Sequence, residues 1–178
     1  KLPEINWYPL AVGMTCYVGE WVAIAVADDP YIAEDALDLI EVEYEPLPAV
    51  VDPEQAFADT DLLVHPGHGS NVLYHGNFLW GTVAEDFAAA DDSLTFRARW
   101  GRSSTVPIET FGALARWDEG TEIMDIWASI QMPNFVELMA TTLGYPLNCI
   151  RLHQDVDVGG SYGVKRGIKQ SVLVAYLS

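Results

Sequence analysis

The chain has 178 residues and a formal net charge of −17, from 26 acidic and 9 basic side chains. That length holds one large domain or two small ones, and a hydrophobic fraction of 50% supplies material for a core. The acidity argues against nucleic-acid binding, because a polyanion would be repelled and no basic stripe offsets the charge. Two cysteines, Cys16 and Cys149, lie far apart without a Cys-x-x-Cys pair, so they read as small buried apolar residues rather than zinc or iron–sulfur ligands. No apolar run is long enough to span a bilayer. The chain starts Lys1-Leu2-Pro3, without Met or a signal-like segment, and stops inside the apolar segment 171–178 without a helix-ending signal. The expectation is a piece of a longer protein.

In chain order, residues 21–27 form a continuous apolar run of strand length, which predicts a strand covered on both faces. Asp29 and Pro30 then supply an N-cap and a first helical residue for a short helix over 33–40. Glu34 and Asp35 fall in its first turns, where the helix dipole favours acids. Residues 41–44 alternate like a strand. From 52 to 71 the periodicity fades into Pro/Gly/His turn chemistry, read as a linker. His65 and His68 sit there without an obvious third ligand, which favours a solvated loop. Thr82 and Glu85 have capping-box spacing ahead of the apolar run 87–90. Leu94, Phe96, Ala98 and Trp100 alternate with Thr95, Arg97 and Arg99, predicting a half-buried strand. Trp80 and Trp100 read as core.

Strands are expected over 106–117 and 122–128, with a turn at Asp118-Glu119-Gly120. A helix over 133–143 is stopped by Gly144-Tyr145-Pro146. A short strand over 150–154 leads into Asp157-Val158-Gly159-Gly160-Ser161-Tyr162-Gly163, and a last helix starts near Lys165. Three glycines within five residues mark a backbone that bends sharply or is approached closely. Such a loop offers N–H donors to an anionic ligand, although an ordinary tight turn has the same composition. It lacks the spacings of a P-loop or a Gly-x-Gly-x-x-Gly fingerprint. Gln131 follows a strand, where its amide can donate to an oxygen ligand or simply stitch a loop.

The ordered set is Gln131 with Pro133 and Asn134, a helix, a strand, and then the loop 157–163. It resembles the molybdopterin-binding region in large subunits of the molybdenum hydroxylases, the xanthine dehydrogenase, aldehyde oxidase and aerobic carbon monoxide dehydrogenase family. Residues 17–20, the strand–helix–strand unit and residues 45–50 resemble that family's small α/β hammerhead domain. The resemblance implies an α+β fold, with a partial hammerhead domain over 1–58 and a linker over 59–75. The first part of the molybdopterin-binding domain would then occupy 76–178.

The resemblance also implies the chemistry. Gln131 matches a glutamine beside an oxo ligand of the molybdenum. Gly159, Gly160, Ser161, Tyr162 and Gly163 match the loop that holds the cofactor, molybdopterin cytosine dinucleotide. Ser161 and Tyr162 stand where the family commonly has Gly and Phe. Arg166 stands where purine-oxidising relatives carry an acid, so xanthine is a doubtful substrate; Arg166 orients a substrate carbonyl or carboxylate, or is a solvated charge or phosphate contact. Glu109 matches a Pro-x-Glu segment and is either a substrate-side carboxylate or an internally satisfied residue. The family's catalytic base, a glutamate near the end of the full subunit, is not among these residues. The implied reaction hydroxylates a carbon of an aldehyde or aromatic N-heterocycle, ahead of carbon monoxide, with oxygen from water. Electrons pass to FAD and 2Fe–2S clusters on a medium and a small partner subunit, in a cytoplasmic dimer of heterotrimers. The competing readings are a scaffold module that has lost the cofactor, and a different redox enzyme, such as a flavoprotein, using the loop.

Overall fold

A computed structural model describes the chain apart from residues 1–4, 6, 60, 102 and 155–156. The Lys1-Leu2-Pro3 start and part of the acidic run before Asp157 therefore lie outside the described residues. The fold is α+β. The chain divides into two compact units, Lys1–Trp100 and Gly101–Ser178.

The first unit holds three short α-helices among its described residues, α1 (Pro30–Leu37), α2 (Pro53–Ala58) and α3 (Val83–Ala89), and a 3-10 turn at Pro66–His68. The Asp29 carboxylate accepts the Tyr31 N–H at 2.8 Å and Pro30 opens the helix, as the sequence predicts, but α1 ends at Leu37 instead of continuing to 40. The same chemistry recurs at Asp52, whose carboxylate accepts from Glu54 and Gln55 N–H ahead of Pro53. This segment was expected to be loop, so the Asp-Pro start signal outweighs its weak periodicity. At α3 the capping box does not close. The Thr82 hydroxyl turns to the Asp86 carboxylate at 3.3 Å and makes no cap bond to the backbone.

The expected strands over 21–27, 41–44 and 94–100 are not strands in the structure. A strand needs a neighbour for its N–H and C=O groups, and these segments find none among the described residues of their unit, beyond Ala11 N–H to Trp21 O at 2.7 Å. Among the described residues no side chain of this unit is fully buried. Trp80 and Trp100, expected in the core, are 76% and 93% exposed. The polar half of the 94–100 pattern does find partners: Arg97 pairs with Glu54 at 2.5 Å and Arg99 with Asp52 at 3.6 Å. Cys16 and Cys149, expected to be buried, are both half-exposed, and the Cys16 thiol lies 3.9 Å from His65 Nδ1.

The second unit is a three-stranded sheet, β1 (Ala113–Asp118), β2 (Ile123–Ala128) and β3 (Ile150–His153), in the order β1-β2-β3. β1 and β2 are antiparallel, with Ala115 opposite Ile126 and Arg116 opposite Asp125. Their turn is held by the Asp118 carboxylate, which accepts from Gly120 and Thr121 N–H. β1 starts at 113, so the predicted strand over 106–112 does not form there. β2 and β3 are parallel, as a crossover through α4 (Phe135–Leu143) requires. Gly144 ends α4 in the left-handed region at φ 76°, returning its N–H to Ala140 O. α5 (Lys169–Leu177) completes the unit.

Both helices cover one face of the sheet. Met124, Ile126 and Ala128 from β2 and Ile150 from β3 meet Phe135, Met139 and Ala140 of α4 and Val172 and Ala175 of α5. Phe135, Ile126 and Met139 are completely enclosed. Removal of such side chains from water stabilises the fold by about 1.5–3 kcal/mol each. The other sheet face stays open, and the ends of β2 and β3 carry the segments that build the site.

Candidate functional site

The loop after β3 owes its shape to residues that tolerate an unusual backbone. Gly160, Tyr162 and Gly163 have φ of 91°, 49° and 97°. A tyrosine in the left-handed region is uncommon and costs energy that its surroundings must offset. The loop then passes through a 3-10 turn at Val164–Arg166, and Gly167 is extended at φ −79° and ψ 150°. The last helix therefore starts at Lys169 and not near 165, and its N-terminus does not abut the glycines.

Two loop donors are used internally. Gly159 N–H donates to Glu109 Oε2 at 2.6 Å, and Gly160 N–H to Val158 O at 2.8 Å. Among the described residues the N–H groups of Ser161, Tyr162 and Gly163 have no acceptor. Ser161 is 8% exposed, and its hydroxyl is buried without a partner. A native fold rarely leaves a buried polar atom unpaired without cause. Three consecutive N–H groups without acceptors, on a backbone with left-handed residues at Gly160, Tyr162 and Gly163, are donors suited to an anion.

Glu109 fastens this loop. Its Oε1 accepts from Lys165 Nζ at 2.7 Å and from the Ser129 hydroxyl, while Oε2 accepts from Gly159. The bond from Lys165 first, then those from Ser129 and Gly159, lowers its carboxyl from 4.5 to about 2. Lys165 has no exposed surface at all. Both Glu109 oxygens are thus engaged within the chain, in keeping with the internally satisfied alternative of the two that the sequence leaves open. A Cβ on Gly159 would lie 2.5 Å from Glu109 Cβ and 2.7 Å from Oε2, so glycine there is a matter of space.

Gln131 leaves the end of β2 with an exposed side chain, and its N–H donates to Lys165 O at 3.0 Å. The backbone of Gln131 therefore meets the 3-10 turn that follows the glycine loop. Gln154 ties the same corner, donating through Nε2 to Ile130 O at 2.6 Å. Arg166 is exposed, and among the described residues its guanidinium has no ion-pair partner. A cleft of about 490 Å³ opens beside the anchor, lined by Glu109, Ser129, Trp127, His153 and Asp157 among others, but not by Gln131 or residues 159–163.

A family model described as the molybdopterin cofactor-binding domain matches residues 64–178. The chain belongs to this family. Among curated relatives, the 6-hydroxypseudooxynicotine dehydrogenase complex subunit gamma of Paenarthrobacter nicotinovorans is 34% identical over 93% of this chain. The carbon monoxide dehydrogenase large chain of Hydrogenophaga pseudoflava is 32% identical over 98% of this chain. Quinoline 2-oxidoreductase from Pseudomonas putida 86 superposes with a TM-score of 0.80 and 36% identity, covering 96% of this chain and 22% of that one. The chain spans about 20% and 24% of the lengths of the two curated relatives. Among the described residues, no helix is long and apolar enough to cross a membrane.

The residues present fit a molybdopterin cofactor. Its pterin and phosphates are rich in acceptors, and among the described residues the loop has three N–H groups without an acceptor and the orphaned Ser161 hydroxyl.

Lys165 and Ser129 were not singled out from the sequence, because nothing local marks a lysine between Val164 and Arg166 as buried. Asp125 was missed as well. It is 3% exposed on the open side of β2 and takes His153 Nε2 at 2.7 Å, Arg116 at 2.8 Å and Arg151 at 3.4 Å. Hydrogen bonding from His153, then from Arg116, lowers its carboxyl below the usual range. His153 also stacks on Trp127 at 4.5 Å. A lone acid in the apolar run 123–128 was the available signal, since a buried charge requires partners.

Proposed function

We propose that this chain is part of the molybdenum-binding subunit of a multi-component hydroxylase that oxidises an aromatic N-heterocycle or an aldehyde. Within it, residues 1–58 form a hammerhead-like domain, 59–75 a linker and 76–178 the first part of the cofactor domain; the family match beginning at residue 64, inside that linker, supports the division. The observation that carries the reading is the loop itself, in which three adjacent N–H groups and a buried hydroxyl lack partners among the described residues.

A cofactor bound here, read as molybdopterin cytosine dinucleotide, would supply two-electron oxidation chemistry for the hydroxylation of a carbon centre with oxygen from water. Ser161, Tyr162 and Gly163 would hold it through backbone N–H groups and the Ser161 hydroxyl. Gly159 and Gly160 would shape the loop that holds it, Gly159 by admitting Glu109 and Gly160 by its left-handed backbone. Gln131 would hold the cofactor through its exposed side-chain amide, a hydrogen-bond donor. Tyr162, 71% exposed, presents a ring and a hydroxyl outward, where they help shape the substrate side. Arg166 would orient a carbonyl or carboxylate of the substrate. The base that takes the proton from water lies outside these residues. FAD and 2Fe–2S clusters on partner subunits would carry the electrons away, in a cytoplasmic dimer of heterotrimers.

The substrate class rests on relatives. The quinoline- and nicotine-related proteins are named for N-heterocyclic compounds. The alignment to the carbon monoxide dehydrogenase large chain runs over 198 positions, more than this chain contains, so that relative carries inserted residues. The alignment to the gamma subunit needs only 166. A scaffold that had lost its cofactor would have no use for open donors beside a strained tyrosine.

The test is the purified, fully assembled complex containing the full-length subunit. It should contain molybdenum and a pterin nucleotide, and should reduce an artificial electron acceptor with quinoline, nicotine or a simple aldehyde. An active complex without molybdenum would sink the proposal, as would a flavin on the large subunit itself.

A further inference from the structure

We propose that Glu109 and Lys165 act as a positioning pair that sets the donor geometry of the loop 159–163 and the place of Gln131 together. The inference rests on reading that loop as the cofactor cradle. Lys165 is bound from two directions. Its buried ammonium reaches Glu109 Oε1 at 2.7 Å, and its carbonyl takes the Gln131 N–H at 3.0 Å. Glu109 then reaches the far end of the loop by accepting the Gly159 N–H at 2.6 Å, and holds the end of β2 through the Ser129 hydroxyl. None of these segments is held in a sheet at that point, so the side-chain bonds replace a ladder.

The same carboxylate presses on the loop sterically, since it occupies the volume a Gly159 side chain would need. An ammonium with no exposed surface is tolerable only beside its counter-charge. The loop therefore cannot relax away from Glu109 without stranding Lys165. Neither residue touches the cofactor in this scheme; both act through Gly159, the open N–H groups beyond it, and Gln131.

The experiment uses the assembled complex, with wild type, Glu109→Leu, Lys165→Met, the double variant, Glu109→Asp, and Arg97→Ala as a control in an exposed ion pair elsewhere. Molybdenum and pterin nucleotide per large subunit are measured after gel filtration, and the rate of molybdenum loss is followed in mild urea. Melting temperature is recorded in parallel. Each single apolar variant should lose cofactor on the order of 10- to 100-fold faster, as for residues that orient a metal's ligands. The double variant leaves no unpaired buried charge and should regain wild-type melting, yet still lose cofactor fast. Arg97→Ala should match wild type.

Should the double variant fail to assemble, Glu109→Asp decides. It keeps a charge for Lys165 but withdraws an oxygen from Gly159, so melting should hold while retention falls. The proposal is overturned if the double variant or Glu109→Asp keeps cofactor as wild type does, or if loss follows melting temperature in every variant. A wild-type complex without molybdenum or pterin would instead overturn the cradle reading.

Discussion

Glu109 Oε2 and the Gly159 N–H meet at 2.6 Å across fifty positions of sequence, and no side chain fits at residue 159 beside that bond. This contact divides the labour among the loop glycines. Gly159 is required for space, whereas Gly160 and Gly163 are required for their left-handed backbone.

Gly159→Ala should therefore destabilise by overpacking, by about 1–3 kcal/mol. The obstructing atom is Glu109 Cβ, which cannot swing aside. Gly163→Ala meets open space but a φ of 97°, and should cost about 1–2 kcal/mol from backbone strain. Urea unfolding of the intact subunit measures both. Adding Glu109→Ala should relieve part of the Gly159→Ala effect through the freed carboxylate volume, and none of the Gly163→Ala effect.

The Glu109 carboxyl sits at about 2, below its ordinary 4.5. A depressed carboxyl favours the folded state above its ordinary value and loses that contribution as pH falls through the folded value. The stability difference between wild type and Glu109→Gln should thus be full above about pH 4.5, shrink as the pH falls, and be gone below about 2. Denaturant melts across that range read the difference; one that stays constant down to pH 2 would contradict the Lys165–Glu109 assignment.

Ser161 predicts effects of opposite sign in two states. Among the described residues its buried hydroxyl has no partner, so Ser161→Ala should leave the cofactor-free subunit as stable, or more stable by about 1 kcal/mol. The loaded subunit should lose cofactor more readily. Melting temperatures with and without bound cofactor separate the two; equal destabilisation of both forms would mean that the hydroxyl serves the fold alone.

Asp125 is enclosed, but Arg116 and Arg151 are 64% and 56% exposed. Asp125→Asn should cost about 1–3 kcal/mol, because the arginines can regain water once released. Its carboxyl is lowered, first by His153 and then by Arg116. Its contribution is therefore present above the ordinary 3.8 and declines as pH falls below it. Thermal melts of Asp125→Asn and wild type at pH 7 and pH 3 should converge at the lower pH.

Much of the second unit was legible because its signals are local. The turn at Asp118–Gly120, the Gly144 stop after α4, and the succession of β2, Gln131, α4, β3 and loop each depend on residues a few positions apart. The first unit was legible only at the start of α1, where Asp29 caps; Asp52 caps α2 by the same bond to the N–H two residues on, in a segment read as linker. Its apolar runs at 21–27 and 94–100 have strand patterns, but a pattern does not supply a pairing neighbour.

By itself the sequence determined the start of α1, the β-turn, the stop of α4 and the family, since these follow from the φ preferences and hydrogen-bonding reach of neighbouring residues. Tertiary structure alone decided which charges meet. Lys165 lies 56 positions from Glu109, and His153 lies 28 from Asp125. An ion pair forms where burial leaves a charge no water, and burial is settled by how the sheet, α4 and α5 pack. Glu109, a candidate for the substrate side in the sequence, thereby became the anchor of the loop.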